Sequence, residues 1–306
     1  MHVVVLAGGI GGARFLLGVR ELGVDVTAVV NTGDDVTMHG LRICPDLDSV
    51  MYTLGGGADA ERGWGRTGET WVIKDELAAY GAEPTWFGLG DKDVATHLVR
   101  TRMLAAGNPL STVTAALCDR WRPGVRLLPM SDDRVETHVV TGGQAIHFQE
   151  WWVRHRGQVP AERFVFTGAA EAKPGAGVLD AIESADLILL APSNPVVSIA
   201  PILAVPGIRE ALVAAEAPVV GVSPIIGGAP VRGMADKCLE AIGVEVSASA
   251  VGGIYGSELL DGWLVDETDA DATVEGVTVR PRPLWMTDTE ATAAIVRDAV
   301  DLAGLS

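Results

Sequence analysis

A glycine-rich turn near the N-terminus is the first segment whose residue types suit chemistry. It lies in VVVLAGGIGGARFLLGV, residues 3–19, where four of the five positions 8–12 are glycine. Glycine lets a backbone approach a ligand closely, and a helix N-terminus attracts anions. A dinucleotide fingerprint would need a glycine where Arg14 stands, and no Gly-Lys-Ser/Thr follows as in a Walker A loop. The spacing predicts a phosphate-binding turn of weak nucleotide specificity, with a purely structural tight turn as the alternative.

Four aspartates form the second candidate group. Asp34 and Asp35 end the stretch NTGDD, and Asp46 and Asp48 lie in PDLD, where the proline suits a helix start. Several carboxylates in one place are unfavourable unless a cation joins them, and hard oxygen ligands beside a phosphate suit Mg²⁺. The pattern favours a metal or substrate role. Ribose binding or a turn for the first pair, and helix capping for the second pair, are the alternatives.

A lysine, a histidine and three tryptophans lie close to these segments in sequence. In LGDKDVATH, Lys92 supplies a cation of the kind that an anionic substrate needs, and His97 follows an aspartate by one turn. A single histidine on a helix is more typical of a structural residue than of a base. The tryptophans could form the floor of a pocket for a flat ring, with core packing as the default for each; they are Trp64, Trp71 and Trp86.

Two later loops carry polar side chains directly after apolar runs. They are APSNP, residues 191–195, and VSPIIGGAP, residues 222–230. Ser193, Asn194 and Ser223 can hydrogen-bond a base or a phosphate. They are therefore candidates for nucleotide contacts.

The elements that position these residues follow from the apolar pattern. Short apolar runs alternate with helix-length patterns, which is typical of βαβ units in a mostly parallel sheet. The runs predict strands at residues 2–7, 24–30, 85–89, 187–191 and 219–222, and helices at 13–22, 94–105 and 110–121, with Ser111 as a candidate cap of the last helix. We therefore expect an α/β, Rossmann-like sheet with helices on both faces. Ligands of such sheets bind outside the carboxyl ends of the strands, where the candidate loops lie.

The middle of the chain departs from this alternation. Residues 126–168 predict a hairpin around Gly142 and Gly143, followed by a short helix with Trp151 and Trp152. We interpret this segment as a smaller inserted subdomain. Residues 1–125 and 169–306 then form the Rossmann-like core.

Composition excludes several classes of protein. The chain has 306 residues and a formal net charge of −17, which argues against nucleic acid and anionic membranes as partners. Its three cysteines are far apart, which favours a reducing compartment, no zinc site and a cytoplasmic location. Prolines interrupt the apolar residues 185–208, so we expect no membrane span there, and no signal peptide is visible.

Taken together, the motifs resemble one family, the 2-phospho-lactate transferases of coenzyme F-420 biosynthesis. The matching stretches run in family order from residue 8 to about residue 237: GGIGGAR, VVNTGDD, ICPDLDSVMYTL, LGDKDVATH, LPMSDD, HFQEWWVRHRG, APSNPVVSIAPIL and VSPIIGGAPVRGMADK. The family turn often reads Gly-Gly-Thr-Gly-Thr, so Ile10 and Gly12 depart from it. This departure leaves backbone N–H groups as the donors near the anion.

The resemblance implies a reaction. A phospholactyl or phosphoenolpyruvyl group moves from a guanosine-diphospho-linked donor to the ribityl hydroxyl of 7,8-didemethyl-8-hydroxy-5-deazariboflavin, and GMP is released. It also implies Mg²⁺ as the cofactor and a homodimer as the assembly. No residue indicates which three-carbon unit the donor carries.

The resemblance also assigns residues. It implies that Asp46 and Asp48 are catalytic and bind the metal. The implied acceptor-binding residues are Asp48, Lys92, Met130 and Asp133, with Asp132 as the alternative to Asp133. The implied nucleotide-binding residues are Gly9, Gly11, Ser193, Asn194, Ser223 and Ile225.

Two other functions stay open. A related group with a similar glycine turn consists of non-catalytic regulators that bind nucleotide-sugars, although PDLD, LGDKD and HFQEWW resemble the transferases. A nicotinamide-dependent oxidoreductase is suggested only by the strand, glycine turn and helix, and Arg14 counts against it.

Overall fold

Seven parallel strands form the central sheet of the protein, whose computed structural model describes residues 1–305. Their spatial order is β14-β13-β10-β9-β1-β2-β5. Numbered along the chain, the strands are β1 (His2–Ala7), β2 (Asp25–Val30), β3 (Val36–Met38), β4 (Leu41–Ile43), β5 (Arg126–Pro129), β6 (Glu136–Thr141), β7 (Gln144–His147), β8 (Arg163–Thr167), β9 (Leu187–Leu190), β10 (Val219–Val222), β11 (Ile225–Ile226), β12 (Ala229–Pro230), β13 (Gly262–Val265) and β14 (Thr278–Pro281).

The order in which successive strands are added to this sheet reverses at its centre, next to β1. From β1 the chain proceeds to β2 and β5 on one side, and the later strands β9, β10, β13 and β14 extend the other side. A crevice opens outside the carboxyl ends of the strands at such a switch point. The turns after β1 and β9 therefore face the same crevice, as the sequence predicts.

Helices cover both faces of the sheet. The α-helices are α1 (Gly9–Arg20), α2 (Pro45–Leu54), α3 (Val72–Ala79), α4 (Asp91–Ala105), α5 (Leu110–Trp121), α6 (Val178–Glu183), α7 (Ala200–Leu203), α8 (Ile208–Ala214), α9 (Ala235–Ala241), α10 (Ala248–Tyr255) and α11 (Thr289–Leu302). Side chains of β1 alternate between two cores: Val3 and Val5 pack with α1, α2 and α11, whereas Val4 and Leu6 pack with α6, α8 and α10. The predicted doubly covered α/β sheet is confirmed.

Three expectations about elements need correction. Residues 85–89 are not a strand; Trp86, Phe87 and Leu89 pack against the β3–β4 hairpin instead, so their apolar character reflects a small separate core. The first helix begins at Gly9 and not at residue 13, so the glycines form its first turn. Ser111 does not cap α5, because its hydroxyl donates to Asp132 Oδ2 at 3.0 Å.

The middle of the chain forms a separate three-stranded antiparallel sheet in the order β7-β6-β8. The hairpin at Gly142 and Gly143 is confirmed, and a short π-helix, Glu150–Arg154, carries the two tryptophans that follow it. Residues 126–129 do not belong to this unit, because β5 pairs with β2 in the central sheet. A subdomain boundary at residue 126 would therefore divide the central sheet. That the later residues form an inserted subdomain stays a prediction.

Among residues 1–305, no single helix has the length and apolar composition needed to cross a membrane. One pair, Pro195–Leu203 with Ile208–Ala214, meets both criteria jointly, but it is bent by 83° at its break.

Candidate active site

A large cavity opens at the carboxyl ends of the central strands. Its volume is about 1270 Å³, and the turns after β1, β9 and β10 line it. Pockets for single small molecules usually measure about 300–1,000 Å³. This cavity therefore has room for two substrates side by side, or for one unusually large ligand.

The glycine turn forms one wall of the cavity and is shaped by close packing. Gly9 has φ +63°, a left-handed conformation that glycine adopts without strain. A Cβ on Gly8 would lie 2.6 Å from Asp46 Oδ2, and a Cβ on Gly12 would lie 2.8 Å from Ser193 Oγ. The glycines thus let α2 and the β9 loop approach α1, whose N-terminus faces the cavity as an anion site requires.

Two buried carboxylates, Asp34 and Asp46, lie beside this turn. The Asn31 Nδ2 atom donates to Asp46 Oδ2 at 2.9 Å and to Asp34 Oδ1 at 3.4 Å. Gln149 Nε2, from the segment after β7, donates to Asp34 Oδ2 at 2.9 Å. One amide therefore holds both carboxylates close together at the cavity wall.

Burial raises the pKa of Asp34, of Asp46 and of the neighbouring Asp35. For Asp34, burial and the charges of Asp46 and Asp35 raise the pKa well above its usual value. Burial raises the pKa of Asp46 to about 6, against hydrogen bonds from Asn31 and the Gly9 backbone. Burial raises the pKa of Asp35 to about 7, although Arg42 pairs with it at 3.1 Å. Crowded, buried carboxylates of this kind gain most from a bound cation.

The stability of the metal-free protein is expected to fall as pH rises from about 4 to about 7. The folded protein binds more protons than the unfolded chain in this range, because the folded pKa values of Asp34, Asp35 and Asp46 lie above the unfolded value. Urea unfolding at a series of pH values in EDTA measures the effect. Millimolar Mg²⁺ should reduce the slope, and a stability that rises over this range would contradict the prediction.

Asp48 belongs to a second buried network on the same wall. Arg100, which is 1% exposed, forms an ion pair with Asp48 Oδ1 and donates to His97 Nδ1 at 3.0 Å. Because the guanidinium can only donate, His97 Nδ1 accepts and the ring proton lies on Nε2, 3.4 Å from Asp93 Oδ2. Tyr52 donates to Asp93 Oδ1 at 2.6 Å. Asp48 Oδ2 has no hydrogen-bond partner in the part of the chain that the structure describes.

Both carboxylate groups offer ligand atoms for a cation. Asp48, Asp93 and His97 present ligand atoms within 4.8 Å of one another, so they could hold a metal ion. Arg100 already pairs with Asp48 there. Burial raises the pKa of Asp48, and the positive charge of the Arg100 guanidinium opposes that rise. No guanidinium pairs with Asp34 or Asp46 within the described residues. The oxygen ligands of Asp34 and Asp46 therefore fit Mg²⁺ better.

An aromatic arm, residues 57–88, covers the acidic side of the cavity. Trp64, Trp71 and Trp86 all line the cavity, as the flat-ring interpretation requires. The Arg62 guanidinium lies 5.2 Å from the Trp64 ring and 5.1 Å from the Trp71 ring. Across the opening, Arg232 Nη2 donates to the Arg62 carbonyl oxygen at 2.9 Å. These contacts hold the aromatic rings at the mouth of the cavity.

The residues assigned to the nucleotide mostly lie together, but their polar side chains already form hydrogen bonds within the protein. Gly9, Gly11, Ser193, Asn194 and Ser223 line the cavity. The Ser193 hydroxyl exchanges hydrogen bonds with the Gly8 backbone, and the Ser223 hydroxyl does so with Ile225. Asn194 Oδ1 accepts from the first N–H groups of the helical turn that follows it. These side chains shape the loops.

Four of the assigned residues lie outside the cavity lining. Lys92 Nζ donates to the Thr67 carbonyl oxygen at 3.0 Å and so fixes the aromatic arm. Met130 and Ile225 are fully buried, because the sheet continues through Met130 and β11 faces the core. Asp133 is on the surface, where its carboxylate accepts from the Lys173 backbone.

Sequence reasoning missed other residues on the cavity wall. Gln149 and Trp152 come from the separate sheet, and Trp285 comes from the segment before α11. In the sequence, HFQEWW stands out only as a motif of the resembled family. Arg14, which also lines the cavity, was noticed only as the residue that breaks a glycine fingerprint.

The sequence profile of the family described as 2-phospho-L-lactate transferase CofD matches residues 3–294. This chain belongs to the CofD family. The resemblance identified from the motifs is thereby confirmed, and the protein is a transferase of the CofD type.

Two curated relatives align with almost the whole chain. A protein of Thermobifida fusca called phosphoenolpyruvate transferase is 64% identical, over 99% of this chain and 98% of its own length. A protein of Mycolicibacterium smegmatis with the same name is 61% identical over 100% of both chains. A solved structure of a UPF0052 family member from Bacillus halodurans has a TM-score of 0.65, covers 98% of each chain and is 18% identical. That likeness concerns the fold alone.

Proposed function

We propose that this CofD-family protein transfers a phosphoenolpyruvyl or phospholactyl group from a guanosine-diphospho-linked donor to the ribityl hydroxyl of 7,8-didemethyl-8-hydroxy-5-deazariboflavin, in coenzyme F-420 biosynthesis. The observation that carries the proposal is the composition of one cavity. It joins a helix N-terminus, crowded carboxylates and a set of tryptophans in about 1270 Å³. The anion site suits the diphosphate, and the rings suit a flat tricyclic acceptor.

The reaction is an in-line displacement at phosphorus. The hydroxyl oxygen of the acceptor bonds to the phosphorus distal to guanosine, the bond from that phosphorus to the bridging oxygen breaks, and GMP leaves with the electron pair. The hydroxyl proton is lost to a base. Such transfers need positioning and charge neutralisation from the protein more than covalent chemistry.

Specific residues supply these two needs. Asp48, whose Oδ2 is buried and has no partner among the described residues, would accept a hydrogen bond from the attacking hydroxyl, while Arg100 holds the other oxygen. Asp46 and Asp34 would hold Mg²⁺ beside the glycine turn. When bound, the metal neutralises charge on the diphosphate. The N-terminus of α1 orients the phosphates.

The test is release of GMP. Purified protein is mixed with the deazaflavin acceptor, Mg²⁺ and synthetic donors that carry lactyl, enolpyruvyl or glyceryl units, and GMP is quantified by chromatography. GMP should form only when donor, acceptor and metal are all present, with the preferred donor giving the highest kcat/KM. No GMP from any donor, together with thermal stabilisation by uridine diphosphate-sugars, would favour the nucleotide-sugar-binding regulator.

Replacing Trp71 with leucine is expected to weaken acceptor binding about fivefold, because a stacked aromatic ring contributes roughly 1 kcal/mol beyond simple burial. The fluorescence of the deazaflavin acceptor reports binding directly. Trp285→Leu is the matched control, since Trp285 lies on the wall formed by the segment before α11 and should leave acceptor affinity unchanged. Equal affinity of Trp71→Leu and wild type would place the acceptor elsewhere.

We further propose that the protein acts in the cytoplasm as a homodimer, on the resemblance to the family. Light scattering after size-exclusion chromatography tests the assembly. A mass near twice 32.0 kDa is expected, and a mass near 32.0 kDa would contradict it.

A further inference from the structure

Arg14 is a cation on the cavity wall, and its guanidinium pairs with no group of the described residues. Four arginine or lysine side chains line the cavity. Arg62 is paired with a carboxylate, Arg232 donates to a carbonyl, and the Lys74 ammonium lies 5.7 Å from the Trp71 ring. Within residues 1–305, the Arg14 side chain has neither a hydrogen bond nor an ion pair. A half-buried, unpartnered guanidinium in a cavity is suited to an anionic ligand.

The position of Arg14 on α1 shows which part of the cavity its side chain lies beside. A Cβ on Gly18 would lie 2.6 Å from the Thr292 backbone, so α1 meets α11 at this face. Arg14 precedes Gly18 by four residues and therefore shares that face. It lies towards the segment 284–287, which lines the cavity before α11 begins. Side chains on a helix lean towards its N-terminus, so the guanidinium is directed towards the glycine turn.

Trp285 supplies a flat surface on the same side. It lines the cavity, is 54% exposed and stacks on no other ring of the described chain. It follows β14, at the edge of the sheet, whereas Asp34 follows β2 on the other side of β1. The unpartnered cation and the exposed ring thus lie across the glycine turn from the carboxylates.

We propose that Arg14 and Trp285 form the subsite for the nucleoside monophosphate that leaves in the reaction. This inference rests on the proposed function. The reacting phosphorus must face the acceptor near the carboxylates and the tryptophan arm, so the nucleoside end of the donor extends to the opposite wall. There Arg14 binds the phosphate attached to the nucleoside, and Trp285 stacks on the base. The polar loop side chains on this wall are bonded to the backbone, which leaves Arg14 as the charged contact.

Binding of guanosine and of GMP, without metal or acceptor, separates the two contacts. Isothermal titration calorimetry is carried out on wild type, Arg14→Met, Arg14→Lys, Trp285→Leu and Trp285→Phe. Arg14→Met should lower GMP affinity at least about tenfold and leave guanosine affinity unchanged, since it removes a charge-assisted hydrogen bond to the phosphate. Arg14→Lys should lie between. Trp285→Leu should weaken both ligands, and Trp285→Phe should retain both. Arg102→Met, on the exposed face of α4, is the control and should match wild type.

The outcomes distinguish the subsite from the wider function. GMP affinity in Arg14→Met equal to wild type, or an equal loss for GMP and guanosine, would overturn the role of Arg14 in binding phosphate. Unchanged binding in Trp285→Leu would overturn the stacking. If wild type binds UMP but not GMP, and Arg14→Met weakens UMP, the subsite stands and the guanosine donor is wrong. If wild type binds no nucleotide, both proposals fail. Circular dichroism and thermal melting verify that each variant is folded.

Discussion

Replacing Asp46 with asparagine is expected to lower kcat by at least about a hundredfold while raising the thermal stability of the metal-free protein, as loss of a key electrostatic group commonly costs 10²–10³ in rate. The carboxylate is buried beside Asp34, and its charge is unfavourable in the absence of a cation. Asparagine removes that repulsion and also removes the metal ligand. The same substitution should therefore improve folding and abolish catalysis.

Two measurements separate these effects. GMP release gives kcat, and melting in EDTA and in millimolar Mg²⁺ gives the stability of the free and metal-loaded states. Wild type should gain stability from Mg²⁺, whereas Asp46→Asn should start higher and gain little. Asp271→Asn, in an exposed loop, should behave as wild type in both assays. Full turnover in Asp46→Asn would exclude Asp46 from the catalytic site.

Replacing Arg100 with methionine is expected to destabilise the protein by about 3–5 kcal/mol, because it leaves the buried Asp48 carboxylate without its partner. Arg100 is 1% exposed and also donates to His97 Nδ1 and the Arg42 carbonyl oxygen. Urea unfolding measures the loss. Arg297→Met, which removes the exposed pair with Glu290, should change stability by less than about 1 kcal/mol and is the control.

A double-mutant cycle identifies the ion pair as the cause. In Asp48→Asn combined with Arg100→Met no buried charge is left unpaired, so the combined loss should be clearly smaller than the sum of the two single losses. Strictly additive losses would mean that Arg100 stabilises the protein through packing and its other hydrogen bonds. Activity should be lost in both single variants, since Asp48 needs both its charge and its position.

The surroundings of Asp46 and Asp48 are set partly by the local sequence and partly by contacts between distant segments. That Asp46 and Asp48 stand in the first turn of a helix follows from Pro45 and was predicted; α2 begins there. That Asp46 meets Asp34 and Asp48 meets Arg100 depends on chain segments far apart in sequence. The two neighbouring carboxylates of one motif therefore serve different networks, which no local pattern distinguishes.

The sequence predicts four of the seven central strands, which are β1, β2, β9 and β10, together with helices on both faces, the glycine turn and the family. These follow from local signals, since apolar runs and glycine spacing reflect what each short segment can bury or allow. The tertiary structure alone decided which polar groups are free to act. Ser193 is hydrogen-bonded to Gly8, 185 residues away, and Met130 is buried in the core, whereas the Arg14 side chain has no partner among the described residues. The physical reason is that hydrogen bonding and burial are satisfied between distant segments, so the availability of a side chain is settled only when those segments meet.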